Sequence, residues 1–201
     1  MTEMTYAQAL ALGLTECLDQ DPRVVLINAS FGGLTPHRNS YAVLRQKYAD
    51  RITDAPISEL GYCGIAIGAA MTGLRPVVEF MSFNFSFVGA DQIISNAAKM
   101  YYMSGNRFNV PVVFRGPNGA AAQVSSQHSH CVEAIYGNLP GLIIIAPLFL
   151  WMIYLRFIFG RWSAEEASFT WPLIWVSPRT IESSPAATEK RCSTEAGWRL
   201  V

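Results

Sequence analysis

A chain of 201 residues and 22.2 kDa, half hydrophobic and 15% charged, is the size of one domain and has apolar residues enough for a substantial core. Its 15 basic side chains balance 15 acidic ones, which argues against a disordered polyelectrolyte and against a basic nucleic-acid binder. Four cysteines (Cys17, Cys63, Cys131 and Cys192) lack C-x-x-C spacing, and the start has neither a signal-peptide pattern nor an arginine-rich presequence. Reduced thiols are therefore expected, in a bacterial cytoplasm or in an organelle matrix after processing.

Thr5 with Gln8 forms a capping-box pattern, and Tyr6, Leu10, Leu14, Cys17 and Leu18 recur at helical spacing up to Asp19. Asp21-Pro22 breaks that helix, and Val24–Ile27 is a short apolar run of the kind buried on both faces in a parallel sheet. Further strand-like runs occur at Arg51–Thr53, Pro76–Phe80, Pro111–Arg115 and Leu142–Ala146. Helix-length segments separate them: Ser40–Ala49, Ser58–Thr72, Val88–Met103 and His128–Gly137. This alternation predicts an α/β fold, an open and mainly parallel sheet with helices on both faces and right-handed crossovers. A ligand is then expected beyond the carboxyl ends of the strands, in the strand-to-helix loops.

The grammar changes after Pro147. All five tryptophans fall beyond it, and Ser183–Val201 is polar and without apolar periodicity. Residues 1–147 are expected to form the domain, and 148–201 a hydrophobic then polar tail that is poorly ordered. From Ala134 to Leu155 there is no charge, a length that could cross a bilayer, but Gly137, Pro140, Gly141 and Pro147 interrupt it and its first half reads as the last strand. Exposed apolar surface is the expected consequence.

Among the loops, Glu59 reads in two ways: a first-turn acid behind a Ser58 cap that complements the helix dipole, or a partly buried carboxylate that shares a proton with a ligand. The helix after it is rich in small residues (Gly61, Gly64, Ala66, Gly68, Ala69, Ala70), which implies a close contact surface. His128 is an acid or base candidate at the strand-end edge, because histidines titrate near neutrality. His128, His130 and Cys131 lack a second cluster at metal spacing, so no metal site is assigned. Phe83, Phe85 and Phe87 read as core or as a cofactor platform, and Gly116–Gly119 as a turn, since no phosphate-loop motif occurs.

Several long segments resemble one family: Asp54–Glu59, Gly64–Pro76, Glu79–Phe85, Asp91–Ile94, Lys99–Gly105, Pro111–Gly119 and Gln127–Cys131 look like the beta subunits of thiamine-diphosphate-dependent pyruvate dehydrogenases. The resemblance runs from about Thr5 to Pro147 and implies a transketolase-like pyrimidine-binding domain. It implies that the Glu59 carboxyl group hydrogen-bonds the aminopyrimidine ring of thiamine diphosphate and favours the imino tautomer that removes the thiazolium proton. Phe85 would pack on the pyrimidine, and His128 would assist proton or acyl transfer on the substrate side. The resemblance further implies an alpha subunit that supplies the magnesium and diphosphate site, a second beta subunit in a heterotetramer, and docking to a dihydrolipoyl acyltransferase core. Related enzymes for branched-chain 2-oxo acids or acetoin share the scaffold, so the substrate rests on overall similarity.

Two departures stand out. Asn28-Ala29-Ser30-Phe31 replaces the family's usual acidic G-E-E-V, and Gly32–Arg38 differs from its tyrosine-containing loop. After Pro147 the family continues with a helix, a strand and a C-terminal domain used in dimer and acyltransferase contacts, none of which is recognisable here. A truncated, frameshifted or alternatively spliced product follows as an expectation, and with it a non-catalytic remnant that binds the alpha subunit as the alternative function. Relatives also bind a monovalent cation near the position of Val112, but the other ligands lie beyond Pro147, so no intact cation site is expected.

Overall fold

The structure is a computed structural model that describes residues 6–28, 38–119, 125–146 and 173–178. The Thr5–Gln8 capping box, the loop at 29–37, Cys192 and the rest of the tail lie outside the described residues.

Six strands form one parallel sheet: β1 (Val24–Ile27), β2 (Ile52–Thr53), β3 (Arg75–Glu79), β4 (Val113–Asn118), β5 (Ile143–Ile145) and β6 (Leu173–Pro178), in the order β2-β1-β3-β4-β6-β5. The helices are α1 (Tyr6–Gln20), α2 (Arg38–Lys47), α3 (Glu59–Met71), α4 (Met100–Met103) and α5 (Glu133–Gly137). The expected open α/β sheet is present, with strands β1 to β5 close to their predicted places.

Alternation of facing residues explains why both sides are covered. Leu26, Val77 and Val113 point to the side of Leu10, Leu14 and Leu18 on α1 and Leu44 on α2, forming one core. Ile27, Val78 and Phe114 point to the other side and pack with Tyr62, Ala66 and Ile67 on α3, together with Phe80, Phe83, Ile93 and Tyr136. At the amino edge of the sheet, Asp21 pairs with Arg23 at 2.8 Å and Arg75 at 3.4 Å, joining the start of β1 to the start of β3. Burial pushes the Asp21 carboxyl up, but the Arg23 hydrogen bonds and the charges of Arg23 and Arg75 outweigh it and hold the group below its ordinary value.

The differences from expectation have physical causes. Val88–Met103 is not one regular helix: a 3-10 turn at Phe83–Phe87 precedes it, and Gln92–Ala97 is π-helical, with the Ala98 N–H reaching back to the Ile93 carbonyl at 3.0 Å. His128–Gly137 likewise divides into a 3-10 turn at Ser126–His128 and the short α5. The sequence Gly116–Asn118 extends β4 rather than turning; a Cβ on Gly116 would lie 2.9 Å from the Phe80 carbonyl oxygen, so only glycine admits this approach. Finally, β6 lies within the segment expected to be poorly ordered. Leu173–Val176 is a four-residue apolar run that is ambiguous alone, and pairing on both edges, with β4 and with β5, defines it.

In the uncharged stretch starting at Ala134, the described part is α5 followed by β5, and no helix among the described residues is long and apolar enough to cross a membrane.

Candidate active site

In this sheet the chain leaves β1 in both directions, toward β2 on one side and β3 on the other. The crevice at the carboxyl ends of β1 and β3 is therefore the switch point where ligands bind in open α/β sheets. Local chemistry builds it. Asn28 ends β1 in the left-handed region (φ 63°), a conformation Asn tolerates better than most residues. Fully buried, it accepts a hydrogen bond from the Ala55 N–H at Oδ1 (3.0 Å) and donates its own N–H to the Thr53 carbonyl (2.9 Å). The loop that leads into α3 is thereby pinned to the end of β1.

Glu59 is the first residue of α3, and 8% of it is exposed. Ser58 holds the extended N-cap conformation but its hydroxyl makes no capping bond, which corrects the capping role expected of it. The far end closes with Gly73 (φ 102°) and hydrogen bonds from the Gly73 and Leu74 N–H groups to the Ala70 and Ala69 carbonyls. Gly89 lets the next segment seat against the start of the helix: a Cβ there would lie 3.1 Å from both the Glu59 carbonyl oxygen and Cys63 Sγ.

Glu59 lines an open surface pocket with Ile57, Tyr62, Glu79, Met81 and Phe85. The Glu59 side chain has no hydrogen-bond partner among the described residues. The Phe85 ring is half-buried and meets the His128 ring edge-on, with centroids 5.2 Å apart. His128 is held there because the segment behind it is tied to the end of β4: the Gly119 N–H donates to the His130 carbonyl at 2.9 Å, and Asn118 Nδ2 donates to Glu133. The three site candidates, Glu59, Phe85 and His128, are thus brought together from α3, the turn after β3 and the turn before α5.

The other phenylalanines divide. Phe83 is fully buried against Phe80 and Tyr136 and is core, whereas Phe87 is partly exposed beside His130 and Tyr136. Tyr136 donates to Ser86 Oγ at 2.9 Å, and burial pushes its hydroxyl up to about 12, so it stays protonated. His128 and His130 face different aromatic rings, and no group of three or more possible metal ligands occurs among the described residues.

Glu79 is the pocket residue that motif reasoning passed over. It ends β3 directly opposite Arg115 of β4; the two form an ion pair, and both are buried, 8% and 4% exposed. Burial pushes the Glu79 carboxyl up to about 7, against the pull of the Arg115 charge and hydrogen bond. In sequence the hints were a charged residue in the apolar run Pro76–Phe80 and its place at the start of the resembling segment Glu79–Phe85.

A parallel sheet covered by helices on both faces defines an α/β domain, and at its switch point stand Phe85 and Glu59, the latter without a hydrogen-bond partner among the described residues. The chain belongs to the transketolase pyrimidine-binding domain family, whose model matches residues 2–148. It is similar to the mitochondrial pyruvate dehydrogenase E1 component subunit beta of Bos taurus, 46% identical over 169 residues that cover 82% of this chain and 42% of the relative. The human protein of the same name is 50% identical over 149 residues, covering 72% of this chain and 41% of the relative. Subunit beta-1 of Oryza sativa subsp. japonica is 50% identical, with 72% and 39% covered. The chain therefore spans about two fifths of the length of these curated relatives. Among solved structures, a split gene transketolase described as an inactive beta4 tetramer shares the fold, with a TM-score of 0.63 at 14% identity, covering 92% of this chain and 55% of that one.

Proposed function

We propose that this chain provides the pyrimidine-binding side of a thiamine-diphosphate site and acts, with an alpha subunit, as the beta subunit of a pyruvate dehydrogenase E1 component. The reaction is oxidative decarboxylation of pyruvate with transfer of the acetyl group to lipoyl groups. The observation that carries this reading is Glu59, a nine-tenths buried carboxylate without a partner among the described residues, in a pocket at the switch point. An aminopyrimidine needs a carboxyl group free to share a proton with its ring nitrogen and apolar surfaces for its faces. Glu59 fits the first need, and Ile57, Met81 and Phe85 fit the second.

When bound, thiamine diphosphate supplies a nucleophilic thiazolium carbon and an electron sink for the carbon dioxide-releasing step. The chain's own part is proton placement and orientation. Glu59 holds the proton at the ring nitrogen, Phe85 fixes the ring plane, and His128, edge-on to Phe85, moves a proton on the substrate side. Diphosphate and magnesium are assigned to the alpha subunit. The outward face of α3, with Leu60, Gly61, Ile65 and Gly68 exposed, suits close packing against another subunit. The relatives' names support pyruvate over branched-chain substrates and an organelle-matrix location.

A second reading, favoured by Asn28-Ala29-Ser30-Phe31 in place of the acidic G-E-E-V, is a non-catalytic chain that binds an alpha subunit and competes with another beta subunit. Mixing the chain with an alpha subunit, thiamine diphosphate, magnesium and pyruvate separates the two. Carbon dioxide release that disappears in Glu59→Gln supports the catalytic reading. Binding without release, together with inhibition of an intact heteromer, supports the competitor.

A further inference from the structure

Asn28 has no part in the reaction as assigned above, yet its buried side chain joins the end of β1 to the segment that carries Glu59. We propose that Asn28 is a positioning residue for Glu59: its side chain holds the stretch from Ala55 to Tyr62 at both ends and so fixes where the Glu59 carboxyl group stands in the pocket. This use of Asn28 rests on the reading of Glu59 given above.

Three observations converge on it. First, Asn28 Oδ1 accepts the Ala55 N–H at 3.0 Å, while the Asn28 backbone N–H goes to the Thr53 carbonyl at 2.9 Å. The main chain thus stays with the sheet, and the side chain reaches across to the loop before α3. Second, at the far end of the stretch the Asn28 amide acts on the Tyr62 hydroxyl. Burial raises that hydroxyl first, the charges of Cys63, Glu59 and Glu79 add to the rise, and the Asn28 side chain pulls against it. Tyr62 is buried with its ring 5.7 Å from that of Phe80, and its N–H donates to the Ser58 carbonyl at 2.9 Å, so the first turn of α3 is tied to it. Glu59 lies within that turn, and Tyr62 lines the same pocket.

Third, stability alone is a weak reason for an asparagine at this place. A φ of 63° suits glycine, which would bury no amide, whereas Asn28 Nδ2 is buried and closes no hydrogen bond among the described residues. The hold on Tyr62 is therefore looser than the bond to Ala55. Asn28 also stands where the resembled family has the glycine of G-E-E-V, so the amide is an addition that this chain makes at its own switch point. A side chain that burdens the fold and bridges two elements beside a buried acid finds its use in placing that acid.

The first test needs no cofactor. Amide exchange at Ala55 and the carbon-13 signal of the Glu59 carboxyl, assigned by its loss in Glu59→Gln, are followed in the full chain. The variants are Asn28→Gly, which keeps the backbone conformation, and Tyr62→Phe, which removes only the hydroxyl. Asn28→Gly speeds Ala55 exchange at least about tenfold and displaces the Glu59 signal. Tyr62→Phe displaces the Glu59 signal as well, and in the double variant the two displacements do not sum. Unchanged Ala55 exchange or an unchanged Glu59 signal in Asn28→Gly overturns the proposal. Tyr62→Phe keeps the packing on Phe80 and so reports even where Asn28→Gly compromises folding; an unchanged Glu59 signal there, or additive displacements, overturns the two-ended hold.

A second arm measures thiamine diphosphate binding with magnesium by calorimetry, on the chain assembled with an alpha subunit, in a cycle of Asn28→Gly with Glu59→Gln. A residue that acts through Glu59 weakens binding about tenfold when Glu59 is present and less than about twofold in Glu59→Gln. An equal loss in both backgrounds is the mark of a merely structural role and refutes the positioning role. If wild-type and Glu59→Gln assemblies bind the cofactor alike, the cofactor reading fails, and the exchange and carbon-13 results still decide whether Asn28 places Glu59.

Discussion

On the proposed function Glu59 is the residue on which the chemistry turns, and its burial in the pocket is the reason. A buried carboxyl group without an internal partner carries a desolvation cost that a ligand can offset. Glu59→Gln keeps the shape and removes the exchangeable acid, so the assembled protein should lose activity by about 10²-fold or more, the range of a general acid or base. Steady-state carbon dioxide release is the measurement, and an unchanged rate would refute the assignment. Phe85→Ala removes a pocket wall and the edge contact with His128. An aromatic contact of about 1 kcal/mol predicts a roughly fivefold to tenfold weaker cofactor affinity, read by calorimetry, with little change in the unfolding midpoint. Glu59, Phe85 and His128 were legible in the sequence because they sit in distinctive loops after strands. Glu79 was not, because what makes it special is its register partner Arg115 and its burial, and neither is a local property.

At the scale of elements, α3 carries the site on its first turn, and its other surface is built for approach. Gly68 faces open space, so Gly68→Ala should stabilise the isolated chain by up to about 1 kcal/mol through helix propensity. The same change should weaken association with an alpha subunit if this face packs there. Denaturant unfolding and a binding titration measure the two effects separately. Gly89 is the contrasting case, since its added methyl group would press on the Glu59 backbone and Cys63. Gly89→Ala should cost about 1–3 kcal/mol in denaturant unfolding, and a neutral result would mean that this contact yields easily. The helix pattern over Val88–Met103 was visible in sequence, but its π-helical turn was not. In the fold, the Ala98 carbonyl lies where only a glycine at 141 can pass; a Cβ there would sit 2.0 Å from that oxygen. A contact across such a span is invisible to periodicity.

For the whole molecule, two of the buried acids, Glu79 and Asp21, give stability an expected pH profile. The Glu79 carboxyl is raised in the folded state from an ordinary 4.5 to about 7, so the folded protein binds the proton more tightly than the unfolded chain does. Its contribution is fully present below about 4.5 and is lost as pH rises through about 7, an effect on the order of 3 kcal/mol. Asp21 acts in the opposite sense: its value is lowered, so its contribution is present at higher pH and is lost as pH falls through the carboxylate range. Stability should therefore be greatest in mildly acidic solution, and Glu79→Gln should flatten the decline on the alkaline side. Unfolding midpoints measured from pH 4 to 8 check this, and a level profile from 5 to 8 would count against it.

The residues in order were enough to determine the alternation of strands and helices, the parallel sheet, and three of the side chains at its carboxyl edge. Apolar runs, helical spacing and loop motifs are properties of neighbours in the chain, so they can be read without coordinates. Tertiary structure alone decided that Glu79 joins Glu59 in one pocket, that Arg115 stands opposite it, and that Leu173–Pro178 enters the sheet between β4 and β5. Each of these depends on strand register and burial, which arise only when distant segments meet.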